Sequence, residues 1–294
     1  MPTMAAIPAS FDSPVPPMGD LIWSRLAQAP AGSIAVFDDN EALQNASPNL
    51  GGLQVFGYVA TTSGAAALDS LVQAAEAWFQ SPVVHGLFLD EGPDYTFPPD
   101  FTDARWQLYV DFWAWNQAIQ PDKQVMLNCS ATRRVAVFEQ TGQVGPMCDL
   151  GTLVELGYAR YREQGADGWW QQNLVATNND FWVDPSLKRR FAHVFHSCPT
   201  VSTMAVAFKL AQLRNCEYVY IHDQSSSNYG GLPAFWDQEL ALLAGASPES
   251  VIDDEFEVLK ADLANTVAQL SEELAPTAGE RAAIVRRINA ALRR

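Results

Sequence analysis

Carboxylates and an amide stand at the ends of three short apolar runs in the sequence. Asp90 and Glu91 follow GLFL, Asn128 follows VML, and Glu155 lies within TLVELG. Separated carboxyl groups can divide the work of glycoside hydrolysis, in which one protonates the leaving oxygen while the other attacks the sugar or activates water. Because such residues also cap helices and bind metals, the pattern by itself indicates this chemistry only weakly.

Further polar and aromatic side chains lie in comparable positions. The next two apolar runs end in His196 and in His222-Asp223, which could orient a sugar or a carboxylate. Tyr229 and Trp236 follow the last run, where aromatic faces can stack on sugar rings, although core packing explains such residues just as often. The spacing of the histidines predicts no metal site, and we expect no cofactor.

Eight short runs rich in β-branched and aromatic residues predict the strands that must position these side chains. They lie at 4–9, 33–38, 53–60, 85–90, 124–129, 152–157, 191–197 and 217–222. Helix-length amphipathic stretches fall between them. In a chain of 294 residues, this alternation predicts an α/β fold, a (β/α)8 TIM barrel with a C-terminal helical extension. A doubly wound open sheet is the alternative, because periodicity alone does not show closure.

In such a barrel the catalytic groups lie at the carboxyl ends of the strands, so these residues should meet at one mouth. Asp90 and Glu91 are adjacent, and on an ideal strand only one of them points inward. We expect Asp90 to act as nucleophile or base with Glu91 in support. Glu155 lies in apolar surroundings that favour a neutral carboxylic acid, which suits a general acid. Structural roles, in loop support or as a buried acid, are the alternatives.

The character of the sequence changes after Pro248. Residues 251–294 show no strand pattern, and their apolar residues recur at steps of three or four, which predicts a helix followed by an arginine-rich second one. We therefore predict a barrel over residues 1–248 and a helical hairpin over 249–294. The apolar stripe of the hairpin either packs on the barrel or joins copies of the chain into a homo-oligomer.

Composition and charge narrow the partners. Hydrophobic residues make up 48% of the chain and charged residues 18%, as in globular proteins rather than disordered ones. The formal net charge of −16 repels a phosphate backbone, so we expect no nucleic-acid partner. No apolar run approaches the about 20 residues of a membrane span, so we expect no membrane partner.

Two further expectations concern location and thiols. The first residues show no standard secretion signal, so the expected location is the cytoplasm, or outside the cell by a route that needs no such signal. Four cysteines stand at positions 129, 148, 198 and 216 without a C-x-x-C spacing, and we expect them to be buried free thiols.

Five segments in order resemble the strand-end motifs of spherulin-4-like proteins. They are GYVATTSG (57–64), GLFLDEGP (86–93), LNCSA (127–131), LVELGYARY (153–161) and YVYIHDQSSSNYGGLPAFW (218–236). The resemblance covers roughly residues 4–243 and implies the activity of related endo-acting glycoside hydrolases. Their substrates are α-1,4-linked galactosamine and N-acetylgalactosamine polymers such as galactosaminogalactan. It also implies catalytic roles for Asp90, Glu91 and Glu155, with Tyr58 and Asn128 as polar groups of the pocket.

The expected function is therefore hydrolysis of a polysaccharide by strand-end carboxylates. The competing function is a non-catalytic carbohydrate-binding or structural assembly protein on the same barrel, with the C-terminal hairpin used for association. The presence of all three acidic residues favours the enzyme. The residues expected to bind substrate are Tyr58, Asn128, His196, His222 and Asp223, with Tyr229 and Trp236 as weaker candidates.

Overall fold

Eight parallel strands form one sheet, ordered β1 to β8 along the chain, in the computed structural model of the protein. The structure describes residues 4–8, 18–40, 43, 50–92, 104–128, 146–163, 190–224 and 231–251. The strands are β1 Ala6–Pro8, β2 Ile34–Phe37, β3 Gln54–Ala60, β4 Val84–Asp90, β5 Gln124–Asn128, β6 Leu150–Gly157, β7 Phe191–His196 and β8 Tyr218–Ile221. Each begins and ends within two residues of its predicted run.

Within the described residues, helices follow β1, β3, β4, β6, β7 and β8, in keeping with the predicted amphipathic stretches. They are α1 Met18–Leu26, α2 Leu68–Phe79, α3 Ala104–Ile119, α4 Tyr158–Tyr161, α5 Val201–Leu213, α6 Trp236–Leu243 and α7 Pro248–Val251. A short 3-10 turn, Thr62–Gly64, follows β3. The hairpin predicted for residues 249–294 lies outside the described residues beyond position 251, so the domain boundary and the association through 251–294 stay predictions.

Met4 closes the sheet by joining its first strand to its last. The Met4 backbone N–H donates to the Glu217 carbonyl at 2.9 Å, and the Met4 carbonyl accepts from the Val219 N–H at 2.8 Å. Met4 thereby pairs in parallel with Tyr218. Because β8 hydrogen-bonds to the segment that leads into β1, the sheet closes. The predicted (β/α)8 barrel is confirmed, and the open doubly wound sheet is excluded.

The described residues of the core fall into two apolar clusters. The larger one fills the space between the strands and the surrounding helices. The smaller one fills the barrel interior and consists of Ala6, Ile34, Val36, Phe56, Met126, Leu150, Ala192 and Tyr218, with Met4, Tyr58 and Phe88 packed against it. The interior is therefore a packed plug, as in other barrels of this kind, and polar side chains are left for the mouth above it.

Three of the four cysteines are described, and each of them is a buried free thiol as predicted. They are Cys148, Cys198 and Cys216, whereas Cys129 lies outside the described residues. Among the helices that the structure describes, none is both long and apolar enough to cross a membrane.

A buried carboxyl group ties α6 to the end of β8. Glu239 is fully buried, and its Oε1 accepts a hydrogen bond from the Ile221 backbone N–H at 3.0 Å. Burial raises the pKa of Glu239 well above its ordinary value, with the Ile221 hydrogen bond acting weakly in the opposite direction. The side chain is therefore kept in its neutral form by its surroundings, while its oxygen completes the backbone pairing at the strand end.

We predict that the Glu239→Gln variant becomes more stable relative to the wild type as the pH rises. Because the pKa of Glu239 is raised in the folded state, its contribution to the free energy of unfolding is complete below the unfolded pKa of about 4.3. That contribution is lost as the pH rises toward the folded pKa, by up to about 1.4 kcal/mol per pH unit. Glutamine keeps the acceptor for the Ile221 N–H and cannot ionise. Thermal unfolding of both proteins over a pH series is the measurement.

The matched control is Asp237→Asn, which makes the same chemical change on the same helix at a side chain that is 75% exposed. Its effect on the pH dependence should be small, because exposed ion pairs such as Asp237 with Arg25 contribute little. Unfolding temperatures of wild type and Glu239→Gln that stay parallel across the pH series would contradict the prediction.

Candidate active site

One side-chain amide lies between two carboxylates at the mouth of the barrel. Asn128 Nδ2 donates to Asp90 Oδ1 and to Glu155 Oε2, at 2.8 Å in each case. The Tyr58 hydroxyl donates to the second oxygen of Asp90 at 3.0 Å. Four consecutive strands, β3 to β6, thus contribute one side chain each to a connected polar network. The predicted convergence of Asp90, Asn128 and Glu155 is what the structure shows.

Strand alternation explains why Asp90 and Asn128 point inward. Phe88 packs against the interior cluster, and Asp90 follows it by two residues on the same strand face. In the same way Met126 belongs to the interior cluster and Asn128 lies two residues further along β5. The last inward position of each strand, just above the apolar plug, is therefore polar.

Glu155 reaches the mouth through a different device. Leu150 lies in the interior cluster, so strict alternation would place Thr152 and Val154 inward and Glu155 outward. The pairing of β6 with β7 shifts register between Thr152 and Val154, and Val154 packs in the outer cluster instead. This irregularity reverses the alternation and aims Glu155 into the barrel, as β-bulges beside active sites commonly do.

Tyr58 is positioned from behind by the indole of Trp78. The Trp78 Nε1 donates to the Tyr58 carbonyl at 3.0 Å, and a Cβ at Gly57 would lie 2.2 Å from an atom of the same ring. Only glycine therefore lets α2 approach β3 so closely. Burial, and next the charge of Asp90, raise the pKa of Tyr58, so its hydroxyl stays protonated and donates to the carboxylate.

The two adjacent acidic residues separate as predicted. Asp90 is half-buried and joins the network, whereas the side chain of Glu91 is exposed. The backbone of Glu91 has a φ of 54°, in the left-handed region that non-glycine residues rarely adopt. The chain therefore turns sharply at the end of β4, immediately after the Asp90 carboxylate.

His196 lies at the end of β7, beside the end of β6. Its Nδ1 is 3.1 Å from the Ser197 hydroxyl, and its ring packs where a Cβ at Gly157 would lie 3.2 Å from Cε1. The side chain is half-buried, and this burial lowers the pKa of His196, which favours the neutral imidazole. On β7, His196 lies two residues beyond the residue that pairs with Glu155 of β6. From this position its neutral ring could exchange hydrogen bonds with a sugar.

His222 is held inside the chain. It is 1% exposed, its Nδ1 accepts from the Gln224 backbone N–H at 2.9 Å, and its Nε2 lies 2.9 Å from the Gly231 carbonyl. The Asp223 carboxylate is 3.6 Å from the same Nδ1. His222 therefore fixes the chain on both sides of residues 225–230, and contact with a substrate would require one of these bonds to break.

The prediction that Trp236 binds substrate is wrong. Trp236 is fully buried, its Nε1 donates to the Arg25 carbonyl at 3.1 Å, and its ring packs edge-on against Tyr220 with centroids 6.5 Å apart. It is the first residue of α6 and joins that helix to α1, so it presents no face to a sugar. Tyr229 lies outside the described residues. Within the described part of the chain, no group of His, Cys, Asp or Glu could hold a metal ion.

Comparison with known proteins gives one family match. The model of the spherulation-specific family 4, Spherulin4, matches residues 37–243. No curated protein matches the chain. Among solved structures, Sph3 of Aspergillus clavatus, in complex with GalNAc, has a TM-score of 0.62 at 20% identity, over 83% of this chain and 98% of that one. At this identity the likeness establishes the fold alone.

Two other solved structures align with the chain at lower scores. A Bacteroidetes-affiliated GH5 cellulase has a TM-score of 0.46 at 13% identity, over 89% of this chain and 94% of that one. An adenine deaminase of Arthrobacter aurescens has a TM-score of 0.41 at 11% identity, over 94% of this chain and 79% of that one. Neither supports an argument about this protein.

We predict that Gly92→Ala strongly destabilises the protein. A Cβ at Gly92 would lie 1.9 Å from the carbonyl oxygen of Asn128, so the new methyl group must push apart the ends of β4 and β5. Overpacking of this kind costs about 1–3 kcal/mol. The free energy of unfolding in urea is the measurement. Gly231→Ala is the matched control, because no atom lies within 4 Å of its added Cβ, and equal losses from both changes would refute the prediction.

Proposed function

The chain belongs to the spherulation-specific family 4, and from that premise we propose that it is a glycoside hydrolase whose reacting groups are Asp90 and Glu155. The proposal rests on one observation. Two carboxyl groups lie at the mouth of the barrel and are held close together by a single amide, that of Asn128. Family membership and the relation in fold to Sph3 support a carbohydrate-active protein in the broader sense.

Asp90 is suited to attack the sugar as a carboxylate. Each of its oxygens accepts a hydrogen bond, one from the Tyr58 hydroxyl and one from the Asn128 amide. Donors of this kind hold both carboxyl oxygens in a fixed direction. As the glycosidic C–O bond breaks, an Asp90 oxygen forms the new bond to the anomeric carbon.

Glu155 is suited to transfer the proton. It is half-buried on the neighbouring side of Asn128 and accepts from that amide through one oxygen. We assign it the general acid role: it gives its proton to the leaving oxygen in the first step. In the second step it takes a proton from the water that attacks the anomeric carbon, and the Asp90 carboxylate is released.

The substrate class that we propose is an α-1,4-linked galactosamine or N-acetylgalactosamine polymer, cleaved internally. Two things support it: the family relation, and the GalNAc bound in the Sph3 structure. Glu91 is exposed next to Asp90 in the chain, His196 is half-buried at the end of β7, and Asp223 is half-buried just after β8, so each could bind sugar hydroxyl or amino groups at the mouth. A protein that binds such a glycan without cleaving it is the competing outcome of the test below.

We predict that Asp90→Asn and Glu155→Gln each lower the rate of polymer cleavage by at least about 100-fold while glycan binding persists. Both changes keep the shape of the side chain but remove the charge or the proton that the transition state needs. Product release from galactosaminogalactan and a panel of other polysaccharides gives the rate, and calorimetry gives the binding. Asp111→Asn, an exposed change on α3, is the control variant.

The outcomes separate the two functions. A wild type that binds glycan but cleaves no polymer is a carbohydrate-binding protein, and the enzyme proposal fails. Cleavage by the wild type that both variants match keeps the class of enzyme but removes Asp90 and Glu155 as the reacting groups.

We also predict that cleavage retains the anomeric configuration. Asp90 Oδ1 and Glu155 Oε2 each lie 2.8 Å from the same nitrogen, so these oxygens are separated by at most twice that distance. Retaining glycosidases hold their carboxyl groups about 5–5.5 Å apart, whereas inverting ones leave about 6.5–9.5 Å for a water molecule. Proton NMR of fresh product, recorded before mutarotation, identifies the anomer. Initial release of the opposite anomer would contradict the assignment of Asp90 as nucleophile.

A further inference from the structure

A buried pair of hydroxyl groups touches the backbone on both sides of the turn that carries Asp90. Thr61 and Tyr109 are both fully buried, and their hydroxyl oxygens are 2.7 Å apart. The Thr61 hydroxyl also lies 2.7 Å from the Asp90 carbonyl and 2.9 Å from the Glu91 carbonyl. In addition, the Thr61 backbone N–H donates to the Asp90 carbonyl at 3.1 Å.

Counting protons decides the direction of these bonds. Each hydroxyl has one proton, and the carbonyl oxygens of Asp90 and Glu91 can only accept. The Tyr109 oxygen is 3.4 Å from the Glu91 carbonyl but 2.7 Å from Thr61, so its proton points to Thr61. The Thr61 hydroxyl then donates its own proton to the two backbone carbonyls, and the shorter contact is the one to Asp90. The result is a chain of hydrogen bonds from Tyr109 through Thr61 to the backbone of Asp90.

The turn at Glu91 needs such support. Its φ of 54° is unfavourable for a residue with a side chain, and a backbone of this kind persists only where its surroundings hold it. The Thr61 hydroxyl contacts the carbonyl groups on both sides of this φ angle, those of Asp90 and Glu91. Rotation of the turn toward a relaxed conformation would break at least one of these contacts.

The hydroxyl pair is itself anchored to the outer helix α3. Tyr109 lies within α3, and a Cβ at Gly64 would be 2.8 Å from the Cβ of Arg105 on the same helix. The turn after β3, which begins at Thr61, therefore packs directly on α3. The position of this helix is transmitted to the end of β4 through two hydroxyl groups.

We propose that Thr61 and Tyr109 are positioning residues that hold the Asp90 carboxylate at its reacting distance. This inference rests on the proposed function, in which Asp90 is the nucleophile. Asp90 makes its side-chain bonds to Tyr58 and Asn128 only while its backbone keeps the present conformation, and the hydroxyl pair fixes that backbone. Neither Thr61 nor Tyr109 touches the substrate, because both are buried behind the strand ends.

The test compares variants that differ by one hydroxyl group. Thr61→Val and Tyr109→Phe keep the shape and remove the hydrogen bond, and Thr61→Ser keeps the bond. We expect Thr61→Val and Tyr109→Phe to lower kcat by at least about 10-fold with KM changed less than about twofold, because small misplacements of a reacting group are costly. Thr61→Ser should restore kcat to nearly the wild-type value.

The control is Ser33→Ala at the opposite end of the barrel. The Ser33 hydroxyl is also fully buried and also joins two strands, since it accepts from the Ala5 backbone N–H at 2.9 Å. Its loss should lower the unfolding temperature and leave kcat unchanged. An equal fall of kcat in Ser33→Ala, or an unchanged kcat in both Thr61→Val and Tyr109→Phe, would overturn the inference. Should Thr61→Val not fold, Tyr109→Phe carries the same test.

A crystal structure of Thr61→Val separates this inference from the proposed function. Glu91 leaving the left-handed region, or the Asp90 to Asn128 bond breaking, would support the positioning role even for a protein that cleaves no polymer. An unchanged turn and unchanged Asp90 contacts would overturn it. A wild type without hydrolytic activity removes the proposed function alone.

Discussion

The rest of the site depends on two carboxyl groups that accept hydrogen bonds from one amide nitrogen. Asp90 and Glu155 lie on strands separated by one other, and strands are about 4.8 Å apart, so a residue of the middle strand must stand between them. Carboxyl oxygens at this range would repel one another without a donor between them, and hydrogen bonds directed at both stabilise the arrangement. The Asn128 side chain donates one hydrogen bond to Asp90 and one to Glu155, and the Tyr58 hydroxyl donates a second one to Asp90. An aspartate in place of Asn128 would add a charge where two donors are needed.

The surrounding structure serves this arrangement through close backbone contacts. Gly57 admits the indole of Trp78, which holds the strand of Tyr58. Gly92 admits the carbonyl of Asn128, which brings the ends of β4 and β5 together. In each case a side chain would separate the elements by more than a hydrogen bond can tolerate. The glycines of the GYV and DEG segments are thus explained by packing around the site rather than by flexibility of the turns.

Much of this could be predicted from the sequence, because the carboxyl ends of parallel strands meet wherever the sheet closes. Strand-end polarity and the family resemblance together therefore selected Asp90, Asn128 and Glu155. Two features could not be predicted. The register shift before Val154 adds one residue to β6, and the pattern of apolar residues in the sequence does not reveal it. Strict alternation along the strand would therefore place Glu155 on the wrong face. Trp236 follows a run of polar residues in the sequence, as a sugar-stacking residue would, but its indole joins α6 to α1.

Comparing Glu155 with Glu239 shows why the proposed function gives the reacting role to Glu155 and not to Glu239. Both accept a hydrogen bond through one oxygen, so this bonding alone does not separate them. Glu239 is fully enclosed and its only described acceptor role completes the backbone at Ile221, so no substrate oxygen can reach it. Glu155 is half-exposed at the mouth, and a second carboxylate stands across one amide. The proposed acid catalysis requires an accessible carboxyl group and a second carboxylate to balance the positive charge that develops on the sugar, and of these two residues Glu155 alone meets both requirements.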